Sequence, residues 1–82
     1  MNIGEAIKHM EAGGKVQRAG WNGKGMFLFK VFGFEWDFVT DTPGVNEFAT
    51  LPFICMKTAD NGLVPWLSSQ TDMLAEDWEV SA

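Results

Sequence analysis

The chain has 82 residues and a formal charge of −5, enough length for one domain with a modest core. This acidic balance argues against nonspecific binding to DNA or RNA, which needs a basic surface. One cysteine and one histidine exclude a disulfide within the chain and leave too few soft ligands for a zinc site. No apolar run approaches the roughly 20 residues of a membrane span, so we expect no membrane partner.

Aromatic residues are numerous for this length, with four Trp and seven Phe. So many rings exceed what one small core accommodates. They therefore indicate a subunit interface or a ligand cleft in addition to the core. A lone reduced cysteine, Cys55, is typical of the cytosol, and its place within a predicted strand favours a small buried apolar role.

Residues 1–14 predict an amphipathic helix, because apolar side chains recur at the spacing of one helical face. Asn2 is a good N-cap and Glu5 follows three residues later, which is close to a capping box. The pair Gly13-Gly14 ends the helix, and the first glycine suits a left-handed C′ position.

Residues 15–19 predict a short strand, and 20–25 a tight turn with the hairpin signal Asn22-Gly23. The turn contains Trp21, with the cations Arg18 and Lys24 nearby. Either Trp21 packs over the sheet, or the glycines let a phosphate or base approach the backbone closely. Residues 26–32 predict a central strand that is apolar on both faces and therefore covered on both sides.

The second half of the chain predicts more strands and a short helix. Alternation of Phe34, Trp36 and Phe38 with acids predicts a strand, and 40–52 predicts an irregular loop. Residues 53–58 and 63–64 predict a hairpin that turns at 59–62, and Pro65 indicates an edge strand. A helix of about two turns and a final strand at 78–80 follow. The fold class is α+β, a small antiparallel sheet with an N-terminal helix and a short C-terminal helix, in a single domain over 1–82.

The segment 66–78 is the most informative part of the chain, because Trp66 and Trp78 bracket a run of small polar groups. Ser69 stands three residues before Asp72, the spacing of an N-cap with a carboxylate that reaches back. Ser69 either only caps a helix that packs its tryptophans in the core, or it lines a nucleotide-sized site beside aromatic faces.

No catalytic set is indicated. The single histidine, His9, lies on a polar helix face far in sequence from Cys55. Glu76, Asp77 and Glu79 form an acidic run of the kind that usually faces solvent. Hydrogen-bonding groups and rings without a nucleophile and base favour a binding protein over an enzyme.

The chain resembles the second Thoeris anti-defence family of small phage proteins, formerly a domain of unknown function, over nearly its whole length. The matching motifs are IGEAI at 3–7, RxGWNGKGMFL at 18–28, MKTAD at 56–60, VPWL at 64–67 and SQTDMLAEDW at 69–78. The segment 33–52 fits the family pattern least well.

This resemblance implies a protein that sequesters cyclic ADP-ribose isomers made by bacterial TIR-domain proteins, without cleaving them and without a cofactor. It implies a homotetramer in the cytoplasm of the infected host, with pockets between protomers, and in some members a separate site for cyclic dinucleotides. Trp21 would stack on adenine, and the helix start near Ser69 with Arg18 or Lys24 would serve the pyrophosphate. The binding residues that it implies are Trp21, Asn22, Ser69, Gln70, Thr71, Asp72, Arg18, Lys24, Met26 and Trp66. Two alternatives stay open: an acidic decoy that mimics nucleic acid and blocks a defence protein, and a hydrolase acting on such nucleotides.

Overall fold

The computed structural model describes residues 1–21, 25–33, 41–45 and 50–81. The first helix, α1, spans Ile3–Glu11, and the second, α2, spans Gln70–Leu74. The strands are β1 (Val16–Arg18), β2 (Phe27–Val31), β3 (Phe53–Lys57), β4 (Leu63–Pro65) and β5 (Trp78–Val80). They form a five-stranded antiparallel sheet in the order β4-β3-β2-β1-β5, which confirms the predicted α+β class.

Local signals at both ends of α1 act as predicted. The Asn2 side chain accepts from the Glu5 amide and the Glu5 carboxylate accepts from the Asn2 amide, so the capping box is complete. At the other end, Gly13 has a φ of 94° and donates to Met10 while Gly14 donates to His9, which is a Schellman motif. The helix is shorter than the predicted 1–14 because these caps take up the flanking residues.

The core lies between α1 and one face of the sheet. Trp78 is its largest member and is 1% exposed. Because side chains alternate along a strand, residues opposite one another in the register share a face, and α1 covers the face that carries Val16 and Leu28. The buried cluster consists of Ala6, Met10, Val16, Leu28 and Trp78.

The central strand β2 is covered on both faces, as predicted. Val31 and Cys55 are buried although they lie on the sheet face opposite α1. Burial raises the pKa of the Cys55 thiol, since desolvation penalises the thiolate. Cys55 is therefore a buried apolar residue, as its sequence context predicts.

Both edge strands are three residues long. β4, which ends at Pro65, is the predicted edge strand. The backbone turns between β3 and β4 through Thr58–Gly62, where the Thr58 amide donates to the Gly62 carbonyl at 2.8 Å. On the other edge, the Trp78 amide donates to the Met1 carbonyl at 3.1 Å. The terminal ammonium of Met1 donates back to the Trp78 carbonyl at 2.6 Å, so Met1 covers part of β5.

Two predictions extend beyond the described residues. The strand containing Phe34, Trp36 and Phe38 lies entirely outside them. The loop predicted at 40–52 is described only in part, and residues 41–45 form bends and turns there, while 50–52 have no regular structure.

Candidate functional site

Four elements meet at one end of the sheet and bring most of the predicted site residues together. β1 ends at Arg18 and passes into a 3₁₀ turn, Ala19–Trp21, which carries Trp21. β5 pairs with β1 so that Trp78 is opposite Arg18, and the Ala19 amide donates to the Asp77 carbonyl at 3.1 Å. α2 begins just before β5, with Ser69 as its N-cap. The site therefore combines a turn, a helix start and a strand start.

Three tryptophans form one cluster at this end. The Trp78 ring lies 5.6 Å from Trp21 and 5.8 Å from Trp66, and both pairs cross nearly at right angles. Edge-to-face pairs of this kind contribute about 0.5–1.5 kcal/mol each beyond their burial. Trp78 is buried, whereas Trp21 and Trp66 are half-buried at the margin of the core. The Trp21 ring therefore packs on the core, as the first reading predicts, while close approach of a phosphate or base to this turn stays a prediction.

Arg18 bridges two carboxylates. Its Nε donates to Asp77 Oδ1 at 2.8 Å and its Nη1 donates to Asp72 Oδ1 at 2.9 Å. The Arg18 and Asp72 side chains are only 21% and 19% exposed. The hydrogen bond to Asp77, and after it the one to Asp72, raises the pKa of Arg18. The hydrogen bond from Arg18 in turn lowers the pKa of Asp77.

Asp72 is held at three atoms. Its amide donates to Ser69 Oγ at 3.0 Å, its carboxylate accepts from Arg18, and its carbonyl accepts from the Trp78 indole Nε1 at 3.1 Å. The serine half of the predicted cap is therefore present, while the carboxylate bonds to Arg18. The helix has five residues, so it is shorter than the predicted two turns. None of its residues is buried. Contacts outside the helix fix its position, because a single turn is not stable alone.

The remaining predicted residues divide into three groups. Gln70 and Thr71 are exposed in the first turn of α2, beside Asp72. Met26 is half-buried just before β2. Asn22 and Lys24 lie outside the described residues.

Asp77 is the residue that the sequence interpretation missed. The acidic run predicts a solvated face for Asp77, but the Asp77 carboxylate bonds to Arg18, 59 residues away in sequence. The available signal was the register: once β5 is paired with β1 so that Trp78 faces Arg18, the residue before Trp78 comes within reach of the guanidinium.

The structure also contains a cavity of about 200 Å³ elsewhere, between the second half of α1 and the β2–β3 pair. None of the described site residues lines it. Its lining is Ile7, Met10, Glu11, Lys30, Pro52, Phe53 and Ile54. Within the part of the chain that the structure describes, no cluster of three or more His, Cys, Asp or Glu residues is arranged to hold a metal ion. Over the same residues, no helix is long and apolar enough to cross a membrane.

Fold and site together define a small α+β protein with an aromatic and charged cluster at one end of its sheet. A model of the Thoeris anti-defense 2-like domain matches residues 1–81. The chain is also 43% identical over 92 aligned positions to a protein named Thoeris anti-defense 2 from Bacillus phage SP01, covering 98% of this chain and 93% of that protein. The chain therefore belongs to the Thoeris anti-defense 2-like family, as its motifs predict.

Proposed function

We propose that this anti-defence protein binds and sequesters cyclic ADP-ribose-type signalling nucleotides without cleaving them, and so keeps the Thoeris effector inactive. The observation that carries the proposal is that Trp21 and Asp72 both contact Trp78 at one end of the sheet. An aromatic face, a fixed carboxylate and exposed amide and hydroxyl groups are the chemistry that an adenine and two riboses require. Family membership supports the same function.

Within this site, Trp21 stacks on adenine, a contact worth about 1–3 kcal/mol by analogy with base stacking. Gln70, Thr71 and Asp72 bind ribose hydroxyls or the adenine amine. Arg18 already bonds to two carboxylates, so the pyrophosphate contact belongs to Lys24 in this proposal. Asn22, Met26 and Trp66 complete the wall of the pocket.

Exposed leucines beside the site support a homo-oligomer, which we propose is a tetramer with pockets between protomers. Leu67 is 93% exposed and Leu74 is 78% exposed, and they flank the Ser69–Asp72 run on both sides. Apolar surface next to a polar site is typical of a protein interface. A partner protomer over these leucines would also close the pocket. A separate site for cyclic dinucleotides belongs to the same proposal.

A titration with glycocyclic ADP-ribose isomers, followed by tryptophan fluorescence and thermal melting, tests the function. A ligand at a hundredfold excess over its Kd adds about 2.7 kcal/mol to the free energy of unfolding. For a domain of this size, that raises Tm by roughly 10 °C or more. A protein that acts as an acidic decoy shows no shift with any isomer.

Paired variants localise the binding. Trp21→Ala should abolish the Tm shift while the oligomer stays intact by size exclusion. Gln17→Ala is the control, because the Gln17 amide contacts Glu79 on the other sheet face, away from the tryptophans. Collapse of the fold in Trp21→Ala would instead assign Trp21 to the core alone.

A further inference from the structure

We propose that Arg18 and Asp77 are positioning residues of this site: Asp77 orients the Arg18 guanidinium, which holds Asp72 and the first turn of α2 in the arrangement that binds ligand. The effect on ligand affinity rests on the proposed function, whereas the anchoring of α2 by Arg18 concerns the free protein. It assigns a role to Asp77 and replaces the direct phosphate contact expected of Arg18.

The geometry of the guanidinium supports positioning. Nε donates to Asp77 at 2.8 Å and Nη1 donates to Asp72 at 2.9 Å, so each of the two bidentate edges of the guanidinium, Nε–Nη2 and Nη1–Nη2, already has one donor engaged by a carboxylate. One cation between two carboxylates leaves a local charge of −1. A pyrophosphate brought to the same place would be repelled by the carboxylates that hold Arg18.

The weakness of α2 explains why it needs an anchor. Its five residues bury no side chain, so packing alone does not fix its orientation. Ser69 bonds to the Asp72 amide from within the same segment. Among the residues that the structure describes, the hydrogen bonds that tie α2 to the sheet come from Arg18 on β1 and from the Trp78 indole on β5.

Asp77 completes the anchor from the strand side. Its backbone carbonyl accepts from Ala19 at 3.1 Å, which fixes the start of β5 against the end of β1. Its carboxylate then meets Nε, which restricts rotation of the guanidinium and directs Nη1 toward α2. Loss of the Asp77 charge frees Arg18 to rotate, and α2 loses a fixed partner.

Asp77→Asn distinguishes positioning from direct phosphate binding, because the two roles predict changes of opposite sign. If Arg18 bound phosphate, removing a competing carboxylate would strengthen binding of a glycocyclic ADP-ribose isomer. Positioning predicts binding about tenfold weaker, the lower end of the loss seen when residues that orient metal ligands are removed. Arg18→Lys should lose a similar factor, since a lysine keeps the charge but not the two-pronged geometry.

Glu79→Gln is the matched control. It removes the same charge two residues away. Glu79 lies on the sheet face opposite Arg18 and Trp78, where its carboxylate accepts from Gln17 at 2.9 Å. Its affinity should stay at the wild-type value. An affinity of Asp77→Asn equal to or tighter than that of Glu79→Gln overturns the proposal.

Hydrogen exchange in the free protein separates this inference from the proposed function. The Asp72 and Met73 amides, which bond to Ser69, report on the first turn of α2. They should exchange faster in Asp77→Asn than in Glu79→Gln. Equal exchange rates in the two variants overturn the anchoring role of Asp77, whether or not the protein binds a nucleotide. If the wild-type protein binds no isomer while exchange still differs, the anchor is supported and the proposed function fails.

Discussion

Trp78 connects the core to the candidate site, because its ring contacts two tryptophans and its indole Nε1 bonds to Asp72. Trp78→Ala should lower the free energy of unfolding by about 3–5 kcal/mol, since it opens a large cavity and removes the indole hydrogen bond to the Asp72 carbonyl. Val80→Ala, an exposed position on the same strand, should stay within about 0.5 kcal/mol. Urea denaturation of both variants checks this, and a loss below about 1 kcal/mol for Trp78→Ala would place Trp78 outside the core.

The Arg18–Asp77 pair should make stability depend on acid pH. Because Arg18 lowers the pKa of Asp77 in the folded protein, the pair's contribution is fully present above the ordinary aspartate pKa of about 3.9. It is lost as pH falls through the lower, folded-state value. The difference in stability between wild type and Asp77→Asn should therefore shrink below about pH 4. Urea melts at several pH values measure it, and a difference that grows on acidification contradicts the pairing.

Cys55 should react slowly with a thiol reagent in the native protein. Its side chain is buried and its pKa is raised by desolvation, so little thiolate is accessible. Ellman's reagent should modify Cys55 at the rate of an exposed thiol only after the protein has been denatured. Fast modification of the native protein would mean that this part of the sheet opens readily.

At the scale of elements, the two N-caps should differ in their effects. Asn2 and Glu5 cap a helix that packs on the core, whereas Ser69 caps a single turn beside the site. Each cap substitution by alanine costs about 1 kcal/mol of helix stability. For Asn2→Ala we expect that loss in global unfolding. For Ser69→Ala we expect weaker ligand binding with a smaller change in Tm, and equal Tm losses without a change in binding would contradict a role for α2 in the site.

The sequence predicts the elements well because their signals are local. The signals for the α1 capping box, the α1 C-terminus at Gly13, the β3–β4 hairpin and the mostly apolar strand β2 all lie within a few residues of the structure that they specify. The Arg18–Asp77 contact could not be predicted in this way, since its partners lie far apart and meet only through the β1–β5 register. Solvent exposure in the folded protein shows that Trp78 is core while Trp21 lies at the margin, a distinction that composition alone leaves open.

At the scale of the whole molecule, the exposed leucines make a prediction about assembly. Leu67→Asp should shift the proposed tetramer to smaller species in analytical ultracentrifugation, because a buried carboxylate is costly at an interface. Leu63→Asp, at the exposed first residue of β4, serves as the comparison. Dissociation by Leu63→Asp but not by Leu67→Asp would place the interface on the sheet edge and away from the site.

We propose above that the protein holds an immune nucleotide and does not consume it. The most direct measurement is calorimetric titration with glycocyclic ADP-ribose isomers, followed by heat release of the bound molecule and mass spectrometry. We predict saturable binding of at least one isomer and recovery of the intact ligand. No binding at ligand excess, or recovery of a cleaved product, would contradict the account.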